Sequence, residues 1–390
     1  MAEVRVSGRA AAIPPFLVVD VIDRAAELRR SGQDVIMMAV GEPDLDTPAC
    51  IVEAANRALA RRCTRYTHSL GIIELREAIC DDYRDRYGVT VHPDQIIVTP
   101  GTSPAMFLVF SGLLEPGEEI IISDPGYACY SNMIEYVGGV AATVPVFEED
   151  GFQYRPEMIR ERLTARTRAI LINSPSNPTG NLLSPERIKE IAGLGPLVIS
   201  DEIYHGLVYE GREHSILEFT DHAIVLNGFS KRYAMTGWRV GYCILPRSMV
   251  RPLQKVQQNF FISTGDFVQW AAVAAIREAE PEVERMRAIY NHRRQVMLAG
   301  VAALGLGVTV PPTGAFYVLA NAKKFTADSL QFSRDVLEHA LVGVAPGIDF
   351  GRNAEGYIRF SYATGEDQIR EGLARLGRYL ERLPEAPPAR

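Results

Sequence analysis

The sequence predicts an α/β fold in which helices cover both faces of a mostly parallel sheet, with a second, smaller α+β domain. The 390 residues are enough for two or three domains at roughly 150 residues each. Short apolar runs alternate with helical patterns, and near-continuous hydrophobicity is typical of strands buried on both faces. Hydrophobic residues make up 47% of the chain and charged residues 23%, which excludes a disordered or fibrous protein.

Six runs have the length and composition of strands in one main sheet. They span residues 96–99, 119–123, 169–173, 197–200, 223–227 and 241–245. Most of them end in polar residues followed by turn-forming Gly, Pro, Asn or Ser. In an open, mostly parallel sheet the ligand lies beyond the carboxyl ends of the strands, so we expect these ends to meet at one pocket.

The pattern changes near residue 281, where a smaller α+β domain is predicted to begin. Helices are expected at 281–303, 329–339 and 365–383, and strands at 316–319, 342–345 and 357–361. The N-terminal helix (17–30) and strand (36–40) have no place in the main sheet and are assigned to the same domain. The large domain is thus predicted to be 46–285 and the small domain 1–45 plus 286–390, with a loose Pro-rich tail at 383–390.

Charge and composition exclude several classes of binding partner and cellular location. The net charge of −7 argues against nucleic acid. No apolar stretch approaches the ~20 residues that a membrane span needs. The N-terminus lacks the features of a secretory signal, so a cytoplasmic location is expected. Five scattered cysteines and the histidine spacings indicate neither a disulfide framework nor a metal site.

Lysine is rare in this chain, with only five among the 41 lysines and arginines. Four of them lie in helical patterns or in an exposed-looking pair and are simply interpreted as solvated. Lys231 instead follows the apolar run 223–227, in the segment Asn-Gly-Phe-Ser-Lys. A lysine at the mouth of a sheet can be desolvated or lie near another cation, and either effect lowers its pKa and favours a nucleophilic amine. Position alone does not exclude a surface lysine.

Asp201 directly follows the run 197–200, at the carboxyl end of a predicted central strand. It is compatible with a turn or N-cap aspartate, or with a carboxylate that keeps a pyridine nitrogen protonated so that the ring accepts electrons. Tyr204 and Asn177 are candidates to hydrogen-bond an oxygen on such a ring. A core tyrosine and an Asn-Pro turn are the simpler alternatives.

A candidate anion site lies at the Gly-Thr-Ser-Pro motif of residues 101–104, ahead of a helical pattern at 105–114. Thr102 or Ser103 is predicted as the N-cap of that helix. Free amides and the positive end of the helix dipole bind phosphate at such a position. Arg239 adds a guanidinium suited to bidentate contact. Plain capping and an ordinary salt bridge are the alternatives.

Four motifs in chain order complete this pattern. They are Ser-Pro-Ser-Asn-Pro-Thr-Gly (174–180), Asp-Glu-Ile-Tyr (201–204), Ser-Lys with Gly-Trp-Arg (230–239) and Tyr-Ile-Arg-Phe-Ser (357–361). Together they resemble the class I/II aminotransferases of the pyridoxal-phosphate fold type I, the aspartate aminotransferase-like superfamily. The resemblance runs from Gly-Glu-Pro-Asp at 41–44 to the last helix. It implies a seven-stranded-type sheet and pyridoxal 5′-phosphate as cofactor.

The implied activity is that of a transaminase (EC 2.6.1). It moves an amino group from an L-amino acid to a 2-oxo acid, 2-oxoglutarate or pyruvate, by a ping-pong mechanism. In the family pattern Lys231 is the Schiff-base lysine, Asp201 the partner of the ring nitrogen, and Tyr204 a contact of the ring oxygen; these three form the catalytic set. The implied cofactor-binding residues are Tyr66, Gly101, Thr102, Ser103, Tyr127, Asn177, Asp201, Tyr204, Ser230, Lys231 and Arg239.

The resemblance also assigns the substrate side and the assembly. Arg359 matches the arginine that holds the substrate α-carboxylate, with Gly41 and Asn177 beside it, and planar bidentate geometry favours arginine there. Tyr66 matches a tyrosine that reaches the neighbouring subunit's phosphate, which implies a homodimer with shared sites. One departure is Gly228, where many relatives have a serine that contacts the phosphate.

Two other functions stay open. A carbon–sulfur lyase would use the same cofactor site, although such relatives tend to have a histidine in the Asn-Pro-His-Asn-Pro motif that is absent here. A non-catalytic aminotransferase-like regulatory protein would keep Arg359 yet lose Lys231, whereas this chain has both. The donor amino acid and its acceptor are not determined, but Ser103 stands where some aspartate-specific relatives have lysine, which disfavours aspartate.

Overall fold

The computed structural model describes residues 5–383, so most of the predicted Pro-rich tail lies outside the described residues. The helices are α1 (Gly8–Ala12), α2 (Leu17–Arg30), α3 (Ala49–Ala60), α4 (Ile73–Tyr87), α5 (Thr102–Leu113), α6 (Cys129–Tyr136), α7 (Pro156–Arg162), α8 (Pro185–Ala192), α9 (Arg247–Phe260), α10 (Asp266–Glu278), α11 (Glu280–Ala303), α12 (Ser329–Ala340) and α13 (Glu366–Leu380). The strands are β1 (Ile36–Met37), β2 (Ile96–Thr99), β3 (Glu119–Asp124), β4 (Val140–Pro145), β5 (Thr167–Asn173), β6 (Leu197–Asp201), β7 (Ala223–Gly228), β8 (Gly241–Ile244), β9 (Tyr317–Asn321), β10 (Val342–Gly343), β11 (Ala345–Pro346) and β12 (Tyr357–Ser361).

A seven-stranded sheet forms the centre of the molecule, in the order β2-β8-β7-β6-β5-β3-β4. Neighbouring strands are parallel except at β8, which runs antiparallel to β2 and β7. Every residue of β2, β6, β7 and β8 is buried, as the apolar runs predict for strands covered on both faces. The α/β prediction is confirmed, and the six predicted runs coincide with six of these strands.

The seventh strand, β4, was not predicted. It lies at one edge of the sheet, where it pairs in parallel with β3. Its residues vary between buried and exposed, and Val140 and Thr143 face solvent. Because an edge strand with one exposed face needs no continuous apolar run, its sequence carries a weaker signal than the central strands do.

Two smaller sheets occur outside the main one. Strands β11, β12 and β9 form an antiparallel sheet, while β1 pairs in parallel with β10. The predicted single strand at 342–345 is therefore wrong, because its two halves, β10 and β11, join different sheets. The pairing of β1 with β10 brings the N-terminal segment beside the C-terminal part of the chain. The boundaries at residues 45 and 285 stay a prediction.

The carboxyl ends of β5, β6 and β7 meet at one edge of the main sheet, beside the start of α5. The prediction that Thr102 or Ser103 is the N-cap of α5 is wrong. Gly101 is the N-cap, with a φ of 107° that favours glycine, and no side chain caps the helix. The Thr102 hydroxyl instead donates to the backbone carbonyl of Asn227 at 3.3 Å, which ties α5 to β7. Within residues 5–383 no helix combines the length and apolarity needed to cross a membrane.

Candidate active site

A cavity of about 330 Å³ opens at this edge of the sheet. All of the predicted site residues except Gly101 and Tyr66 line it. They come from the ends of the central strands, the start of α5, the N-terminal segment and β12. The expected convergence of strand ends therefore occurs, and distant parts of the chain complete the cavity.

Lys231 lies three residues after β7, with its Nζ 2.5 Å from the carbonyl oxygen of Gly41, to which it donates a hydrogen bond. The pKa of the Lys231 amine is lowered to about 8, mainly by burial. The cations Arg359 and Arg239 contribute to the lowering, whereas the carboxylates of Glu42 and Asp201 oppose it. The side chain thus has the environment expected of a lysine that reacts as a neutral amine.

Asp201 is the last residue of β6, and only 3% of it is exposed. Its Oδ2 accepts a hydrogen bond from the Tyr130 hydroxyl at 2.6 Å, and its Oδ1 accepts one from the backbone N–H of Ile203 at 3.2 Å. Burial raises the pKa of Asp201 to about 6, although both hydrogen bonds oppose this shift. A buried carboxylate of this kind binds a proton-bearing cationic partner strongly, since such a partner offsets the cost of burying the charge.

Arg359 lies in the middle of β12 and is 2% exposed. Its Nη1 donates to Asn177 Oδ1 at 2.7 Å and its Nη2 to the carbonyl oxygen of Ala39 at 2.6 Å. Within residues 5–383 its buried Nε has no hydrogen-bond partner. The guanidinium lies over the rings of Tyr317 and Phe350, with its central carbon 4.4 Å and 4.6 Å from their centroids. These contacts fix the orientation of the Arg359 guanidinium plane, and the guanidinium still has N–H groups that can donate to a ligand.

Tyr204 and Gly41 both contact Tyr317 of β9. The hydroxyl oxygens of Tyr204 and Tyr317 lie 2.7 Å apart within hydrogen-bond distance. A Cβ on Gly41 would collide with the Tyr317 hydroxyl, so this position has room only for glycine. The Gly41 carbonyl accepts the hydrogen bond from Lys231.

The α5 N-terminus forms the anion-binding part of the wall. Thr102, Ser103 and Ser230 line the cavity there, together with Arg239. A Cβ on Gly101 would meet the Arg239 guanidinium, so bare backbone lies next to that cation. The unpaired first-turn amides of a 12-residue helix and a guanidinium together favour a doubly charged anion such as phosphate.

Gly228, the departure from the family pattern, has a steric cause in this chain. A Cβ at this position would lie 2.7 Å from Thr102 Oγ1 and 3.1 Å from Gly241 Cα. A serine therefore does not fit without movement of α5 or β8. The nearby Ser230 is 8% exposed and lines the cavity, so it is available as a hydroxyl donor.

Tyr127 and Tyr66 occupy very different positions. The Tyr127 ring lines the cavity and meets the ring of Phe16 edge-on, with centroids 6.0 Å apart. Tyr66 lies between α3 and α4, is 80% exposed and does not line the cavity of its own chain. The fold brings the other predicted residues together but leaves Tyr66 apart.

Sequence reasoning missed several residues of this site. Tyr130 donates to Asp201 from α6, and Tyr317 contacts Tyr204, yet neither belongs to a recognisable motif. Glu42 lines the cavity and accepts a hydrogen bond from the Thr236 hydroxyl. Its position beside Gly41 in the Gly-Glu-Pro-Asp motif was the one local signal that could have identified it.

The chain also matches known proteins. The family model of class I and II aminotransferases matches residues 33–376. The chain belongs to this family. As a class I/II aminotransferase it is a transaminase, and the sequence-based identification is confirmed.

The relatives of this aminotransferase are named for different substrates. The present chain is 40% identical over 384 residues to the aspartate/prephenate aminotransferase of Thermus thermophilus, and the alignment covers 96% of this chain and 99% of the relative. It is also 40% identical over 371 residues to the (5-formylfuran-3-yl)methyl phosphate transaminase of Methanocaldococcus jannaschii, covering 94% and 97%. The structure of the Thermus thermophilus aspartate aminotransferase with maleate aligns with a TM-score of 0.92 at 39% identity, over 96% of this chain and 100% of that one.

Class I/II aminotransferases use pyridoxal 5′-phosphate, and the residues of this aminotransferase fit that cofactor. The glycine-lined start of α5 beside Arg239 suits its phosphate. The buried Asp201 carboxylate suits its protonated ring nitrogen, and the Lys231 amine suits its carbonyl. When bound, the cofactor supplies an electron sink for the carbanion formed at the substrate α-carbon.

Proposed function

We propose that this aminotransferase moves the amino group of an L-amino acid to a 2-oxo acid, with 2-oxoglutarate or pyruvate as acceptor, by a ping-pong mechanism. The observation that carries the proposal is the presence of Lys231, Asp201 and Arg359 on the wall of one cavity. They supply an amine, a buried carboxylate and a carboxylate-binding cation within reach of one small molecule.

Arg359 and Asn177 are proposed to bind the α-carboxylate of the substrate. The Arg359 guanidinium is held in plane by Asn177 and Ala39 and still has unused donors. A planar, always charged group suits a carboxylate, and its burial strengthens the contact. This orientation directs the substrate α-carbon toward Lys231.

Lys231 is proposed to move the proton of the α-carbon. Its lowered pKa leaves part of the amine neutral near pH 7–8, so Nζ can take up the proton that leaves that carbon and return one later. The carbonyl of Gly41 orients Nζ in the free state. With the cofactor bound, Asp201 would keep its ring nitrogen protonated, and Tyr204 would donate a hydrogen bond to its ring oxygen.

The remaining predicted residues are proposed to position the cofactor. The first amides of α5, the hydroxyls of Thr102, Ser103 and Ser230, and the guanidinium of Arg239 hold its phosphate. Tyr127 packs against its ring. The 46–285 and 1–45/286–390 domains then meet around the cavity, with the cofactor side on the first and Arg359 on the second.

We also propose a cytoplasmic homodimer in which Tyr66 reaches the phosphate of the neighbouring site. The support is the 80% exposure of Tyr66 outside its own cavity. Equilibrium sedimentation should give twice the chain mass of 43.1 kDa. A monomer that is fully active would contradict shared sites.

The test of the activity is to add single amino acids to the purified, cofactor-loaded protein without any oxo acid. One of them should abolish the long-wavelength absorption of the cofactor and yield its own 2-oxo acid in an amount equal to the sites. Release of ammonia with continued turnover would instead identify a lyase. If the spectrum changes with none of the amino acids, the transaminase proposal fails.

A further inference from the structure

The cavity that holds the proposed chemistry has a second, apolar part. Phe16, Val18, Val19 and Ile22, hereafter the apolar wall, line it from the start of α2. Val18 and Ile22 are one helical turn apart, and Val19 lies beside them. Val18 is buried, whereas Val19 is 42% exposed, so the wall presents uncovered apolar surface to the cavity.

The apolar wall adjoins the proposed cofactor position. Phe16 meets the ring of Tyr127 edge-on at 6.0 Å between centroids. A substrate whose carboxylate is bound by Arg359 and whose amine faces Lys231 has one remaining substituent on its α-carbon, the side chain. The apolar wall lines the same cavity and offers apolar surface to that side chain.

The positively charged side chains that line the cavity already have proposed roles. Among the described residues that line it, the cationic side chains are Lys231, Arg239 and Arg359. Lys231 is the proposed base, Arg239 lies beside the α5 N-terminus, and Arg359 is the proposed carboxylate site. No other lining residue between 5 and 383 carries a positive charge for a second carboxylate. Glu42 lines the cavity instead, and its charge disfavours an acidic side chain.

A distant aspartate holds the apolar wall in place. The carboxylate of Asp349 accepts hydrogen bonds from the backbone N–H groups of Leu17, at 3.0 Å, and Val18, at 3.1 Å. It therefore caps α2, whose own N-cap, Phe16, offers no side-chain bond. The next residue, Phe350, lies under the Arg359 guanidinium. Two adjacent residues thus set the position of the wall relative to the proposed carboxylate site.

We infer that the apolar wall is the side-chain subsite of the substrate and that this enzyme prefers donors with an uncharged aliphatic or aromatic side chain over aspartate. The inference rests on the proposed function and adds its substrate class. Asp349 acts as a positioning residue for this subsite. The preference for an apolar side chain is assigned to residues 16–22, and the discrimination against aspartate to the charges that line the cavity.

The first test compares donors in the half-reaction of the cofactor-loaded enzyme, followed by absorption. The probes are leucine, phenylalanine, alanine, asparagine and aspartate. Burial of three or more carbons on the wall should make kcat/KM for leucine or phenylalanine roughly 10- to 100-fold higher than for alanine, and aspartate should be slower still. Equal rates for leucine and alanine, or aspartate as the fastest donor, would overturn the inference. If no donor reacts, the proposed function itself fails.

The second test changes the wall at its most exposed member. Val19→Lys introduces a cation and Val19→Met a neutral side chain of similar length. The ratio of kcat/KM for aspartate to that for leucine should rise roughly tenfold in Val19→Lys relative to Val19→Met. An identical ratio in the two variants would show that position 19 does not face the bound side chain and would overturn the assignment.

Discussion

The cofactor side and the substrate side of the cavity are built from different parts of the chain. On the proposed cofactor side, Asp201 ends β6 and Lys231 follows β7, and these two strands are neighbours in the main sheet. On the proposed substrate side, the apolar wall comes from residues 16–22 and the carboxylate site from Arg359, more than 300 residues away. One side thus depends on neighbouring strand ends, and the other on contacts between the two ends of the chain.

This difference suggests which functions each side controls. Residues at the ends of central strands are held by the rigid sheet, which suits groups that must be placed accurately for chemistry. The wall is a single helix start held by Asp349, so its composition can change without disturbing the sheet. We therefore expect substitutions on the cofactor side to lower activity with every donor, and substitutions in the apolar wall to change the selectivity among donors.

Replacement of Lys231 should have the largest effect on the cofactor side. Lys231→Ala removes the proposed base and should lower kcat by at least roughly 10³-fold, since no other lysine among residues 5–383 lines the cavity. Steady-state turnover measures the loss. Lys255→Ala, an exposed lysine on α9, is the matched control and should keep full activity. Normal turnover in Lys231→Ala would contradict the proposed chemistry.

The lowered pKa of Lys231 predicts how the cofactor-free protein captures pyridoxal phosphate. An amine with a pKa of about 8 has about 300-fold more neutral form at pH 7 than one at the ordinary value of 10.5. The capture rate should therefore rise with pH and level off just above pH 8. Stopped-flow absorption between pH 6 and pH 10 would measure this, and a rate still rising at pH 10 would exclude the shift.

Arg359→Lys tests the substrate side at its proposed anchor. Lysine keeps the charge but loses the planar donors, so kcat/KM for every donor should fall by roughly 100-fold. The long-wavelength absorption of the cofactor should be retained, because Lys231, Asp201 and Arg239 are unchanged in this variant. Arg378→Lys on the exposed face of α13 is the control. A changed cofactor spectrum with normal kcat/KM would place Arg359 on the wrong side of the cavity.

Tyr130→Phe tests a cofactor-side contact that no motif predicted. It removes the hydrogen bond to Asp201, which should raise the pKa of that carboxyl above about 6 and lower kcat by roughly tenfold. The acid limb of the pH profile of kcat should move to higher pH. Tyr136→Phe on the same helix serves as the control. An unshifted acid limb would mean that Asp201 is insensitive to this bond.

Loss of the α2 cap should have the smallest effect and should alter selectivity most clearly. Asp349→Ala should destabilise the protein by about 1 kcal/mol and lower kcat/KM several-fold more for leucine than for alanine, because the wall contacts only the longer side chain. Asp328→Ala removes the cap of α12 and is matched for stability. Equal losses for both donors would reduce Asp349 to a structural role.

Much of this molecule could be predicted from local sequence. The central strands are buried on both faces, so their apolar runs predicted them correctly. The polar residues at their ends lie close together because parallel strands end at the same edge of the sheet. Edge strand β4 was not predicted, because it buries only part of its surface and therefore has no continuous apolar run. The α5 cap was misassigned because a side chain engaged by β7 is unavailable to cap its own helix.

Local sequence therefore established the family, the sheet and the groups at its carboxyl edge. The folded chain alone revealed the Tyr130–Asp201 bond, the Tyr204–Tyr317 contact and the apolar wall capped by Asp349. These contacts join residues separated by 71 to more than 300 positions, and no short-range pattern of hydrophobicity or turn chemistry records which distant segment will lie opposite another. Packing of the N-terminal segment against the C-terminal part places the apolar wall beside Asp349, whereas the Tyr130–Asp201 bond forms within the predicted large domain.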